Sequence, residues 1–312
     1  MLISVVIATY NGSKYIIEQL ESIMNQSRLP DEILVLDDSS QDNTIDIINR
    51  YIMENNITII TLIENSTNLG YALNFWNGLK KAKGDVIFLC DQDDIWLPEK
   101  ISKLINIMEN NRKILALNSS YHLINEKGQI IIDRSKLISK FRGKIKKIKI
   151  KGFIKSPRYP GMAMAIRREL LFSVKDIPEK YIYAHDWALN QSASIENGMY
   201  FCNLKLTLYR QHGNNSVGTL SSLNGTKMIK HRLDTISDQF NLANIFGEIH
   251  KNNKDLRRFT SRVKVVSLKR KKYLLSNNIF GETVLFIIYH RYMSLRCFLG
   301  DIYSMIFQKR GD

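Results

Sequence analysis

Gly84-Asp-Val-Ile-Phe-Leu-Cys-Asp-Gln-Asp-Asp94 sets the terms on which this chain folds. The run up to Cys90 is short, apolar and rich in β-formers after a glycine turn, which reads as a buried strand. Asp91, Asp93 and Asp94 then crowd three carboxylates into four residues at its mouth. Such charges repel one another unless a positive group sits among them. A hard divalent cation meets that need, and Mg²⁺-type sites combine one or two carboxylates with substrate phosphates. The plainer reading is a polar loop in which Asp93 or Asp94 caps a helix beginning near Pro98.

Outward from this strand the pattern alternates. Leu2-Ile-Ser-Val-Val-Ile-Ala8 and Glu32-Ile-Leu-Val-Leu36 read as strands, and Ile57 to Ile63 as a third. Amphipathic helices are expected over Lys14–Met24, Asn43–Met53 and Ala72–Ala82. The spacing predicts an α/β fold with a mostly parallel central sheet covered by helices. Ligands of such sheets sit beyond the carboxyl ends of the strands. Thr9-Tyr10-Asn11, Asp37-Asp38-Ser39-Ser40 and the acidic tetrapeptide all fall at strand ends, so three segments are expected on one rim.

At 312 residues and 44% hydrophobic, the chain can bury one large domain and carry an appendage. Cys90, Cys202 and Cys297 are odd in number and scattered, which argues for a reducing compartment and against a disulfide framework. Met1 leads straight into the first strand, leaving no room for a signal peptide. The most apolar run, Val284 to Tyr289, stops at His290-Arg291, far short of the ~20 residues that span a bilayer. The net charge of +15 is concentrated. Lys140, Arg142, Lys144, Lys146, Lys147, Lys149, Lys151, Lys155 and Arg158 form one acid-free cluster; Arg257, Arg258, Arg262, Lys264 and Lys269 to Lys272 form another. Nucleic acid, anionic lipid head groups and phosphorylated small molecules would all be attracted, and a solvated lysine-rich surface is the bland alternative.

Val5-Val-Ile-Ala-Thr-Tyr-Asn11, Leu36-Asp-Asp-Ser-Ser40, Asp42-Asn-Thr44, Asn68-Leu-Gly70 and Asp91-Gln-Asp-Asp-Ile-Trp96 together resemble the nucleotide-sugar-binding half of family 2 glycosyltransferases of the GT-A fold. The Asp-Gln-Asp-Asp-Ile-Trp form is similar to a bacterial polysaccharide branch that includes rhamnosyltransferases. Gly161 to Leu170, His185-Asp-Trp187 and Tyr209-Arg-Gln-His212 extend the match to about residue 220. The resemblance implies a glycosyltransferase domain over residues 1–220, followed by a basic helical region over 221–312.

Residue by residue, the resemblance implies that Ala8, Tyr10 and Asn11 flank the donor base and that Asp38 accepts its imide N–H. Asp91 would contact the ribose or the metal, and Asp93 would bind a Mg²⁺ or Mn²⁺ bridging the diphosphate. Related enzymes often carry an arginine near Gly70 to Asn74, where this chain has Leu73. Compensation of the diphosphate would then fall to the metal, to His212 as a further ligand, or to Arg210. Asp186 lies at the expected start of a helix, where a capping aspartate is the ordinary reading; the resemblance makes it the general base. Tyr209-Arg-Gln-His212 closes an expected strand, Leu204–Tyr209, and a surface loop histidine is the plain alternative. Gly161 would permit close approach of the donor sugar or acceptor, although a tight turn explains a glycine equally well.

Beyond Gly218 three helices are expected, Lys227–Phe246, Lys254–Leu275 and Glu282–Phe307. The last carries Leu285, Ile288, Tyr292, Leu295, Leu299, Ile302 and Ile306 at helical spacing, which suits either core packing or an in-plane membrane helix. The leading expectation is an inverting glycosyltransferase using a nucleotide-sugar donor and a glycan or lipid-linked acceptor in surface polysaccharide synthesis. It would be cytoplasmic and peripheral on the inner face of the cell membrane, against an anionic surface. A sugar-phosphate nucleotidyltransferase would need a Gly-rich, Arg-containing loop that Thr9-Tyr-Asn-Gly-Ser13 lacks. A non-enzymatic basic protein is the third class, but no zinc-finger spacing or RNA-binding aromatic signature supports nucleic acid.

Overall fold

The computed structural model describes residues 1–132, 145–155, 159–179, 184–213 and 225–308. Lys140, Arg142, Lys144 and Arg158 of the first basic cluster, and the expected boundary near residue 220, lie outside the described residues. The chain divides into two compact units. The first comprises residues 1–149, 159–175 and 184–215; the second comprises 150–158, 176–183 and 216–312.

In the first unit β1 (Ile3–Thr9), α1 (Ile16–Met24), β2 (Glu32–Asp37), α2 (Thr44–Glu54), β3 (Ile60–Glu64), α3 (Tyr71–Lys81) and β4 (Val86–Asp91) alternate as the periodicity predicts. There follow β5 (Ile95–Trp96), α4 (Lys100–Glu109), β6 (Ala116–Ile124), β7 (Ile130–Ile132) and β8 (Ile145–Lys147). After α5 (Ile150–Lys155), which belongs to the second unit, come β9 (Met164–Arg167), α6 (Leu170–Val174), α7 (His185–Ile195) and β10 (Met199–Arg210). The sheet order is β3-β2-β1-β4-β9-β6-β10-β5, with β7 on β6 and β8 on β10. Along the path from β3 to β10 only β9 runs against the rest, so the sheet is mostly parallel in strand direction.

Burial explains why these segments become strands. Val86 to Cys90 on β4 and Val5 to Ile7 on β1 are 0% exposed, as expected of strands covered on both faces. Each large aliphatic side chain taken from water contributes roughly 1.5–3 kcal/mol. Helix α1 buries Ile16, Leu20 and Ile23, and α4 buries Ile101, Leu104, Ile105 and Met108, the i, i+3, i+4, i+7 stripe of a one-sided helix. No capping aspartate opens α4; its N-cap is Glu99, which makes no side-chain cap bond. Strand β10 is twice the expected length because two bulges carry it past Phe201 and Lys205.

The second unit holds α8 (Gly225–Ile249), α9 (Lys254–Leu275), α10 (Ile279–Tyr289) and α11 (Leu295–Gln308). The expected single helix Glu282–Phe307 is a pair. The rings of Phe286 and Phe298 stack with centroids 4.6 Å apart, whereas twelve residues of continuous helix would separate them by about 18 Å. The break lies at His290 to Ser294, where Ser294 Oγ accepts the Cys297 N–H and opens α11. A small core of Ile236, Leu274 and Met305 ties α8, α9 and α11 together.

Close approach at one glycine sets the start of β4. Gly84 N–H donates to Ser4 Oγ at 2.7 Å, and Ser4 Oγ donates to Glu32 at 2.5 Å. A Cβ on Gly84 would stand 2.5 Å from the Ser4 backbone nitrogen and 2.9 Å from the Val86 carbonyl. Backbone cannot yield as a side chain does, so Gly84→Ala should cost roughly 1–3 kcal/mol. Urea unfolding with an unchanged m-value checks this; a loss below about 0.5 kcal/mol would mean the β1–β4 pairing is looser than described.

Candidate active site at the strand ends

The pairing registers bring the polar strand ends level. Ala8 on β1 stands opposite Leu36 on β2 and opposite Asp91 on β4. Gln92 fastens β1 to the acidic turn: its Oε1 accepts from Thr9 Oγ1 at 2.6 Å and Tyr10 N–H at 2.8 Å, and its Nε2 donates to the Tyr10 carbonyl. The Tyr10 ring remains 43% exposed at the rim. Asn11 takes a left-handed conformation, φ +48°, and clasps the end of β2. Its N–H donates to Ser40 Oγ and its Oδ1 accepts from Gln41 N–H.

Asp38, expected to receive a base N–H, already accepts three donors. Asn65 Nδ2 and Leu69 N–H reach Oδ1, and Gly70 N–H reaches Oδ2, all within 2.8–2.9 Å. Asn65 also donates to Asn74, which donates to the Leu36 carbonyl. The carboxylate thus holds the Asn65–Gly70 segment against the end of β2. Its buried state, 2% exposed, is compensated inside the protein.

The acidic turn is where charge accumulates. Burial first, then the charges of Asp93 and Asp186, push the Asp91 carboxyl up from 3.8 to about 7. Asp93 Oδ2 lies 2.7 Å from His212 Nε2, so these two expected metal ligands meet. Asp94 is fully buried; its Oδ1 accepts the Arg210 N–H at 3.1 Å and its Oδ2 finds no partner among the described residues. Burial and the neighbouring carboxylates raise it well above the ordinary range.

Arg210, expected to compensate a diphosphate, is engaged within the protein. Its side chain is 2% exposed, and its guanidinium donates to the carbonyls of Asp93 (2.8 Å), Glu126 (2.9 Å) and Asn125 (3.5 Å) and to Glu18 Oε2 (2.5 Å). A fork spent on backbone carbonyls fixes the acidic turn. Lys100 was not singled out by the sequence reading. It is fully buried, with Nζ 2.6 Å from the Met162 carbonyl, 3.0 Å from Thr207 Oγ1 and over the Trp96 ring at 3.7 Å. Burial lowers it to about 7, against the pull of Cys90, Asp94 and Asp91. A signal existed: Lys100 precedes Leu104 and Met108 at i+4 and i+8, on the buried stripe of α4.

Because β9 runs opposite to β4, its beginning meets the end of β4. The 3-10 turn Gly161–Ala163 therefore arrives at the same rim. The Gly161 N–H and the Trp187 N–H both bond the Asp186 carboxylate, the latter at 2.8 Å. Burial outweighs those donors and raises Asp186 to about 6. A Cβ on Gly161 would lie 2.8 Å from His185 Nε2, so close approach explains this glycine. His185 is buried against Phe75, ring centroids 4.2 Å apart, which lowers it to about 3.

Among the described residues no three ligating side chains form a ready-made metal cluster. The donor set nonetheless suits a divalent cation. Asp91, Asp93 and His212 supply carboxylate and imidazole, and the raised Asp91 reports a negative charge that a cation relieves.

Crowding of this kind has a stability cost with a definite sign. A carboxyl whose folded pKa lies above its unfolded value destabilises the fold above the folded pKa, and the cost is relieved as pH falls. Asp91→Asn should therefore stabilise the metal-free protein at about pH 8 by roughly 1–3 kcal/mol, with the gain shrinking from about pH 7 to vanish near pH 4. Urea titrations across that range check it; a gain independent of pH would point to packing instead of charge.

The family model Glycosyl transferase family 2 matches residues 4–172. The dTDP-rhamnosyl transferase RfbG of Shigella flexneri is 31% identical over 224 residues, 68% of this chain and 73% of that protein. Residues 1–349 of S. aureus TarS, solved with UDP-GlcNAc, superpose with a TM-score of 0.60 at 17% identity, covering 100% of this chain and 93% of that one. The mannosyltransferase PcManGT of Pyrobaculum calidifontis, solved with GDP-Man and Mn²⁺, gives 0.58 at 16% identity over 98% and 87%. With a family model over more than half its length and a relative 31% identical over 68% of it, the chain belongs to glycosyl transferase family 2.

Proposed function

We propose that this glycosyltransferase inverts configuration, moving a sugar from a nucleotide-diphosphate donor to a hydroxyl of a glycan or lipid-linked oligosaccharide in surface polysaccharide synthesis at the inner face of the cell membrane. The observation that carries the reading is Asp186: a half-buried carboxylate held by the Gly161 and Trp187 amides, raised to about 6, and close enough to Asp91 to be felt by it. A carboxylate of that basicity is ionised at neutral pH yet takes a proton more readily than an ordinary one. The Shigella relative, a dTDP-rhamnosyl transferase, makes dTDP-rhamnose the first donor to try.

Asp186 accepts the proton of the acceptor hydroxyl, whose oxygen attacks the anomeric carbon. The bond from that carbon to the diphosphate oxygen breaks on the opposite face, so the configuration inverts in one displacement. The exposed Tyr10 ring and the main chain at Ala8 and Asn11 form the ledge for the donor base, with Asp38 shaping its wall through Leu69 and Gly70. Asp91, Asp93 and His212 would hold a Mg²⁺ or Mn²⁺, which neutralises the leaving diphosphate when bound. Lys100 fixes the Met162 carbonyl, and with it the turn whose Gly161 amide orients Asp186.

Two outcomes are expected. Calorimetry with dTDP and Mn²⁺ should show binding that disappears with EDTA and in Asp93→Ala; full affinity without a cation would sink the metal assignment. Asp186→Asn keeps size and the bonding N–H groups' partner oxygen but cannot take a proton, so transfer should fall about 10²–10⁴-fold. Its thermal shift with dTDP and Mn²⁺ should persist. Transfer within a few-fold of wild type would move the base elsewhere, with Asp94 the next acid to test.

A further inference from the structure

The two C-terminal helices carry their polarity the wrong way round for water. Glu282 on α10 and Asp301 and Ser304 on α11 are fully buried. The open face of α10 instead carries Phe280 (78% exposed), Val284, Ile287 (66%) and Ile288 (60%), spaced i, i+4, i+7 and i+8. On α11, Leu295, Leu299, Tyr303 and Ile306 are exposed at i, i+4, i+8 and i+11. Each set is one stripe of a helix. Apolar stripes left open in this way mark a surface with an apolar partner.

Charge decides which partner. Between Leu256 and Gln308 the sequence holds two acids, Glu282 and Asp301. Both are turned inward: Asp301 pairs with Arg232 at 2.7 Å and Arg270 at 2.8 Å, and Glu282 lies 3.9 Å from Arg270. Past Asp255 the exposed formal charges on α9, α10, α11 and the turn between the last two are therefore all positive among the described residues, with Lys269, Lys271, Lys272, Arg291 and Arg296 in the set. Lys269 Nζ stands 5.8 Å from the Tyr289 ring, so these cations border α10. A two-fold contact between copies would set this patch against itself, opposing like charges in a chain of net charge +15. Nucleic acid would meet the cations and leave two aliphatic stripes in water. A bilayer surface with anionic head groups meets both. At 11 and 14 residues the helices extend about 16 and 21 Å, short of the ~30 Å hydrocarbon core, so they suit the interface plane and not a crossing.

We propose that α10 and α11 seat their apolar stripes shallowly in the head-group region of an anionic membrane, with the basic residues of α9 and Arg291 and Arg296 on lipid phosphates. The inference rests on the membrane location proposed above and gives it a named surface.

The test is co-sedimentation of the full chain with vesicles of phosphatidylcholine, with and without phosphatidylglycerol. Binding is expected to the anionic vesicles, weakening with salt. Phe280→Ser/Ile287→Ser and Leu295→Ser/Leu299→Ser should each weaken it by about tenfold or more at low salt, because the lost area is apolar. These side chains are exposed, so helix content by circular dichroism should be unchanged. Absence of binding to either vesicle overturns the proposal. So does binding that ignores both double variants, or variants that change sedimentation from dimer to monomer while vesicle binding stays. Tight binding of single-stranded RNA without vesicle binding overturns it in favour of nucleic acid. The thermal shift with dTDP and Mn²⁺ reports on the donor site separately, so its persistence in non-binding variants leaves the enzymatic reading intact.

Discussion

Carboxylate crowding at one rim of the sheet is the constraint on which the first unit depends. Asp91, Asp93 and Asp94 leave β4 together, and α7 adds Asp186 close enough to raise Asp91 further. Such an arrangement persists only if the surroundings hold it. Two buried cations do so by different routes. Arg210 spends its donors on the carbonyls of the acidic turn and on Glu18, fixing the backbone that carries the acids. Lys100 sits beneath, joined to Met162 and Thr207, where its charge opposes the pull of burial on Asp94 and Asp91. Both decide where the acids stand. The repulsion left over, seen in the raised Asp91 and Asp94, is what a cation would relieve.

How much of this was legible in the sequence follows from what each element depends on. Strands β1, β2 and β4 and helices α1 to α3 announced themselves because their burial is one-sided or complete, and hydrophobic period reports burial. The rim was legible for the same reason, since polar residues at parallel strand ends have one place to go. The bonds of Arg210 were not legible, because a sequence shows that a guanidinium is near the acids but not which way its fork turns. Five donors can serve three carbonyls as well as a phosphate, and only the path of the Asn125–Glu126 turn decides. Lys100 was overlooked although its period was right, because a lysine on an apolar stripe is ordinarily read as a stem with its head in water. Trp96, Thr207 and the Met162 carbonyl give that head a dry home, and they come from three distant parts of the chain.

The second unit was harder to read for a different reason. Its last 30 residues are apolar on nearly every side, so a period count fits one long helix as well as two short ones. What breaks the helix is a five-residue turn without glycine or proline, His290 to Ser294, held by the Ser294 cap and the Phe286–Phe298 stack. The buried partners are polar instead. Arg270 gathers Asp301, Gln239 and Cys297 from its neighbouring helices, with Glu282 close by. A charged core of this kind supplies direction and register where aliphatic contacts would allow sliding. It also frees the aliphatic residues to face outward.

The inverted strand β9 links the sheet to Asp186, the proposed base. Six of the seven strands from β3 to β10 finish at the functional rim, whereas β9 begins there, so a turn between elements delivers backbone amides to the place where the other strands deliver side chains. Met164 pairs with Asn118 on β6 and Ala165 with Phe88 on β4, and Ser119 Oγ donates to the Ala163 carbonyl. Those bonds fix the Gly161–Ala163 turn from both sides, and Lys100 fixes it from below. The Gly161 amide is thereby positioned before any substrate arrives, and Asp186 is held by donors on two separate elements. A base needs its orientation set in advance, because aligning it during the reaction would add that ordering cost to the barrier. Any residue larger than glycine at 161 would press on His185, which packs on Phe75 of α3, so the tolerance of this site for displacement is set by the core on which α7 rests.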